Sequence, residues 1–160
     1  MPYHLRKIRK ARWSPELRDE FGPFDAQDCP ADCVADLGTA SCRLSLWEID
    51  DERSNLAEVI VALASNSQHL SNLDYALIPR DKVEAIAQLE VTEGQTAHVQ
   101  ANEKWHRDLL GLSGRRLVDL AVLIFSGAER RRVLEKEVTQ MVRKALATRT
   151  LDPARVKVAI

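Results

Sequence analysis

The run Leu117 to Phe125 (LVDLAVLIF) constrains this chain more than any other stretch. It is apolar on nearly every side of a helix and is interrupted only by Asp119. A bilayer span needs roughly 20 consecutive apolar residues, so the run reads as a core helix, and no membrane partner is expected. A helix of this kind must be covered by other elements. It is therefore expected at the middle of one dry interior, with Ser113 as its N-cap.

The preceding eighty residues supply the cover. Arg43 to Ile49 (RLSLWEI) has the β-branched and aromatic content of a short strand. Leu56, Val59, Ile60 and Leu63 follow the i, i+3, i+4, i+7 pattern of an amphipathic helix, expected from Ser54 to Ser65. Asp74 to Ile78 is a second short apolar run, ended by Pro79. Strand, helix and strand of these lengths predict a βαβ unit with two parallel strands. A short helix from Arg80 to Gln88 and a third strand from Leu89 to Thr92 follow.

The C-terminal half reads as helical. One helix is expected from Ala97 to Leu110, stopped at Gly111. Ser126 and Glu129 have capping-box spacing for a long last helix. Its stripe, Leu134, Val138, Met141, Val142 and Ala145, is expected to pack on the Leu117–Phe125 helix. Val156, Val158 and Ile160 alternate as in an edge strand. The expected fold class is α/β or α+β: a small, partly parallel sheet with a βαβ unit, covered by a mostly helical C-terminal half.

At 160 residues, one domain is the expectation. Residues 1–40 read as an irregular N-terminal segment and residues 41–160 as the compact core. Ser14-Pro15-Glu16 predicts a short helix to about Phe21, since proline suits the first helical position. Cys29-Pro30 opens another turn of helix, ending near Gly38. The three cysteines are too few and too clustered for a secreted disulfide framework. No apolar stretch follows the basic N-terminus, so no secretory signal is read and a cytoplasmic location is expected.

Three constellations bear on chemistry. Cys29, Cys33 and Cys42 are the candidate metal ligands. Their spacing lacks the usual zinc knuckle gaps, and His4, His69, His98 and His106 lie far away in sequence. No metal or other cofactor is expected.

The second is a polar patch from Thr92 to Asp108. If this stretch is helical, Asn102 and His106 share a face at i, i+4, with His98 two turns earlier. A histidine with a carboxylate partner performs acid–base work near neutral pH. His106 with Glu103 or Asp108, and His98 beside them, are therefore the catalytic candidates. Asn102, Trp105 and Arg107 are the binding candidates. No nucleophile motif, Gly-rich phosphate loop or His-Glu-x-x-His pattern is present.

The third is basic charge. Arg6, Lys7, Arg9, Lys10 and Arg12 form an N-terminal arm flanked by Tyr3 and Trp13, and Arg130-Arg131-Arg132 adds a second run. Such residues bind polyanions when they share one surface. A formal net charge of −1 does not favour a dedicated nucleic-acid binder.

The expected function is that of a non-catalytic interaction or regulatory protein of bacterial style, working with a protein partner or by self-association as a homodimer. One alternative is a small hydrolase or nuclease-type enzyme using His106. Another is nucleic-acid binding through the basic arm.

Overall fold

The computed structural model describes residues 2–14, 16, 25 and 27–158. Six strands form one sheet in the order β4-β5-β2-β1-β3-β6. They are β1 (Tyr3–Ile8), β2 (Leu44–Ile49), β3 (Leu73–Pro79), β4 (Leu89–Val91), β5 (His106–Leu109) and β6 (Glu129–Val133). Every pairing is antiparallel. The helices are α1 (Ala31–Asp36), α2 (Leu56–Ser65), α3 (Arg80–Ile86), α4 (Val99–Trp105), α5 (Gly114–Gly127) and α6 (Glu135–Ala147), with a 3-10 turn at Lys10–Trp13. The class is mixed α/β.

The expected parallel pair does not form. β2, α2 and β3 stand close to where the sequence places them, but β1 lies between the two strands and pairs antiparallel with each. Its His4 is opposite both Glu48 and Ile78. Residues 3–8, read as part of an irregular segment, are an inner strand. The physical reason is alternation: Leu5 and Ile8 are buried on opposite faces, and a strand apolar on both faces belongs inside a covered sheet.

The sheet separates two apolar layers. On one face, Leu5, Trp47, Ile49, Tyr75 and Leu77 meet Val59 and Val61 of α2, Ala101 of α4 and Val138 and Val142 of α6. On the other, Ile8, Leu44, Leu46, Ala76, Ile78 and Leu109 meet Trp13, Cys33 of α1, Val83 of α3 and Leu120, Ala121, Ile124 and Phe125 of α5. The helix carrying the Leu117–Phe125 run is thus an outer layer on one face. Leu117, Val118, Val122 and Leu123 are only half-buried. The last helix packs on α2 across the sheet from it, not against it.

Two boundaries explain the exchange of faces. Residues 129–133 are strand β6 rather than the start of the last helix, and they carry the chain along the sheet edge. Helix α6 begins at Glu135, where Glu137 accepts the Leu134 N–H at 3.2 Å. Ser113 does cap α5, accepting from the Arg116 N–H at 3.3 Å. Helix α4 stops at Trp105, and residues 106–109, expected to be helical, form β5.

Most of the helix expected from Ser14 to Phe21 (positions 15 and 17–21) and the end of the expected Val156–Ile160 strand lie outside the described residues, and residues 156–158 are not strand. No helix among the described residues is long and apolar enough to cross a membrane.

Candidate functional site

The change of β5 from helix to strand decides what its polar residues can share. A strand repeats every two residues. His106 and Asp108 therefore face one side of the sheet, and Arg107 faces the other. β5 lies between β2 and β4, with Trp47 opposite His106, Ser45 opposite Asp108 and Leu46 opposite Arg107.

His106 and Asp108 line a cleft of about 360 Å³. Lys7, Ser45 and Trp47 come from the neighbouring strands, Leu63 and Asn66 from the end of α2, and Glu93, Gln95 and Thr96 from the loop after β4. The Ser45 hydroxyl donates to Asp108 Oδ1 at 3.1 Å. His106 Nδ1 lies 2.8 Å from Thr92 Oγ1, and its ring meets Trp47 edge-on at 5.1 Å between centroids. Burial lowers the His106 pKa below the ordinary histidine value, opposed by the Asp108 charge. The imidazole is accordingly neutral at pH 7.

One wall of the cleft is held by a buried network. Asn102, 0% exposed, accepts the Thr96 hydroxyl at 2.7 Å and the Thr96 N–H at 3.2 Å through Oδ1. Its amide donates back to the Thr96 carbonyl at 2.8 Å. Asn102 is thus a structural clamp rather than a ligand contact. Gly94 lies against this clamp: a Cβ there would stand 2.7 Å from Asn102 Oδ1 and 3.2 Å from the Trp47 ring.

The remaining sequence candidates disperse. His98 is buried and caps α4, accepting the Ala101 N–H at Nδ1, 3.2 Å away. It does not line the cleft. Glu103 is exposed on α4, away from the cleft lining, and Trp105 packs half-buried against the core. Arg107 pairs with Glu48 at 2.6 Å on the opposite face.

The basic arm is not an arm. The Arg6 guanidinium donates to the carbonyls of Ser45 and Leu37. Lys7 projects from the other face to Ser67, and Arg9 pairs with Asp36. Arg12 is half-buried, and its carbonyl accepts the Cys33 thiol. Lys10 alone joins the second basic run, lining a concavity of about 510 Å³ with Trp13, Asp74 and Arg130–Arg132. There Asp74 holds Arg132 in two hydrogen bonds, and Glu129 holds Arg131.

The cysteines are free: Cys29 half-buried, Cys33 buried, Cys42 exposed. Burial first, then Cys29 and Asp36, pushes the Cys33 thiol up to about 12, so it is no thiolate at pH 7. Among the described residues, no group of three or more His, Cys, Asp or Glu is placed to hold a metal ion.

Sequence reasoning missed His4. It is 1% exposed, and neither ring nitrogen has a hydrogen-bond partner. It lines a second recess, of about 320 Å³, with Glu48, Arg80, Glu84 and Arg107. The available signal was Tyr3-His4-Leu5, where a histidine alternates with apolar residues as in a covered strand.

The fold and clefts thus define a six-stranded antiparallel sheet covered on both faces, with a polar recess on each. Comparison with known proteins finds no matching family, no matching curated protein and no matching solved structure.

Proposed function

We propose that this protein is a cytoplasmic, non-catalytic interaction or regulatory protein whose working surface is the His106–Asp108 cleft. One observation carries the reading: the cleft's polar groups are engaged in pairs that do not chain into a reaction centre. A nucleophilic serine needs its proton on a base that a third group orients. Here Ser45 donates to Asp108, while His106 Nδ1 is engaged by Thr92. What remains is a recess walled by Trp47 and edged by Lys7, Asn66, Glu93 and Gln95, of both charges and both hydrogen-bonding senses. Such a mixture suits recognition of a partner's polar segment, the second copy of a homodimer included.

The test is purification of the tagged full chain from a native lysate, beside His106→Gln and Asp108→Lys variants shown to be folded by circular dichroism. A stoichiometric protein partner, or a dimer in solution, is expected for the parent chain and is lost in both variants. A parent chain recovered as a monomer with no protein partner overturns the reading.

A hydrolase or nuclease-type activity is the second reading, favoured by the placement of His106 and Asp108 on one wall. Glu103 drops out of it. Turnover of ester or phosphodiester substrates that disappears in His106→Gln would establish it in place of the first. The concavity of Lys10 with Arg130–Arg132 is where nucleic acid would bind, but Asp74 and Glu129 already neutralise much of that charge.

A further inference from the structure

The recess around His4 is a second site, on the opposite face of the sheet from the cleft. A neutral imidazole carries one N–H and one lone pair. Burying either unpaired is costly, so buried polar groups nearly always have partners. His4 has none for either nitrogen.

The charges around His4 alternate in a row. Arg80 donates to Glu84 at 2.7 Å and to one oxygen of Glu48 at 3.3 Å. Arg107 holds the other Glu48 oxygen at 2.6 Å. Glu48 and Arg107 are the less exposed pair and form the floor, whereas Arg80 and Glu84 form an exposed rim. Ala87, Leu89 and Val91 give the recess an apolar side. Its volume of about 320 Å³ falls at the small end of ligand pockets, roughly 300–1,000 Å³.

Two arginines beside two glutamates reject a ligand with net charge of either sign. An anion drawn to Arg80 and Arg107 meets Glu48 and Glu84, and a cation meets the reverse. A molecule carrying both charges a few ångströms apart matches the alternation, because it replaces each internal pair by an equivalent one. We propose that this recess binds a free α-amino acid with an apolar side chain. Its carboxylate is taken by Arg80 and Arg107, its ammonium by Glu84 and Glu48, and its side chain lies against Ala87, Leu89 and Val91. His4, without a partner of its own, lines the same recess beside the bound ligand. The site stands independently of the cleft on the other face.

The test is calorimetric titration of the full chain with the twenty standard L-amino acids, and with isopentylamine and 4-methylpentanoate as analogues carrying one charge each. Saturable binding of one or more apolar amino acids is expected, with neither single-charge analogue binding. Arg80→Gln is a rim change that leaves the core intact, and it is expected to weaken binding at least tenfold. Glu84→Gln is expected to do the same. The proposal is overturned if no amino acid binds, if an analogue binds as well as the amino acid, or if both rim variants bind like the parent chain.

Discussion

Arg53 grips Glu129 with two hydrogen bonds, of 3.2 and 2.7 Å, across 76 positions of sequence. The same guanidinium lies over the Tyr3 ring, 5.0 Å from its centroid. One side chain from the turn after β2 therefore ties an inner strand to edge strand β6. Hydrogen bonds from Arg53, then Arg131, hold the Glu129 carboxyl down at about 2. A carboxyl depressed in the fold binds its proton more readily when unfolded. Its contribution is present above the unfolded value near 4.5 and is lost as pH falls toward 2. Arg53→Ala is expected to lose ~0.5–1 kcal/mol at pH 7, the range for a partly exposed pair. Urea unfolding at pH 7 and at pH 3 checks this, the difference between parent and variant shrinking at the lower pH.

His4 has the opposite chemistry but the same sign of pH dependence. Burial pushes its pKa down to about 4 from 6.5, against a smaller opposing pull from Glu48. Between those values the unfolded chain binds the proton and the folded chain does not. Stability therefore falls as pH drops from 6.5 toward 4, by on the order of 2–3 kcal/mol. His4→Leu is expected to flatten this limb of the stability curve. Denaturant midpoints at half-unit steps from pH 7 to pH 4 measure it, and an unchanged slope in the variant would refute the assignment.

Gly94→Ala is expected to destabilise the fold by about 1–3 kcal/mol, because its new Cβ would stand 2.7 Å from Asn102 Oδ1, an oxygen already held in the buried clamp, and one of the two must give way. Asn102→Ala is expected to cost a similar ~1–3 kcal/mol by leaving the buried Thr96 groups unpaired. Since both changes act on one clamp, their double variant should cost less than the sum. Thermal unfolding of the four chains reads the coupling, and strict additivity would show that Gly94 and Asn102 act separately.

Leu120→Ala tests the layer beneath α5. Leu120 is fully buried against the sheet. The expected cost is about 2–5 kcal/mol for the lost contacts and the cavity. Leu117→Ala, one turn earlier and half-buried, should cost clearly less. Equal losses in chemical denaturation would mean that α5 is covered on both sides.

The elements were more legible than their neighbours. Leu56, Val59, Ile60 and Leu63 mark α2 because periodicity is local, and Ser113 marks the start of α5 for the same reason. That β1 enters between β2 and β3 depends on backbone pairing between residues as far apart as Tyr3 and Ile49, or Tyr3 and Pro79, which no local pattern encodes. The site suffered most at Trp105 and His106. Helical reading put Asn102 and His106 on one face, whereas the strand joins His106 to Asp108 and sends Arg107 away. Nothing in AHVQANEKWHRDLL separates the two periods, because β5 is four residues long and buries only His106 and Leu109, a spacing of three that suits a helix as well as a strand. Strand pairing with Leu44–Trp47 makes the choice.

Arg107 stands between His106 and Asp108 and donates to the His106 carbonyl at 2.8 Å. A single peptide unit is therefore the whole partition between the two recesses. Deleting one residue from this strand would trade their contents, placing a guanidinium among the cleft's acceptors and an imidazole beside Glu48.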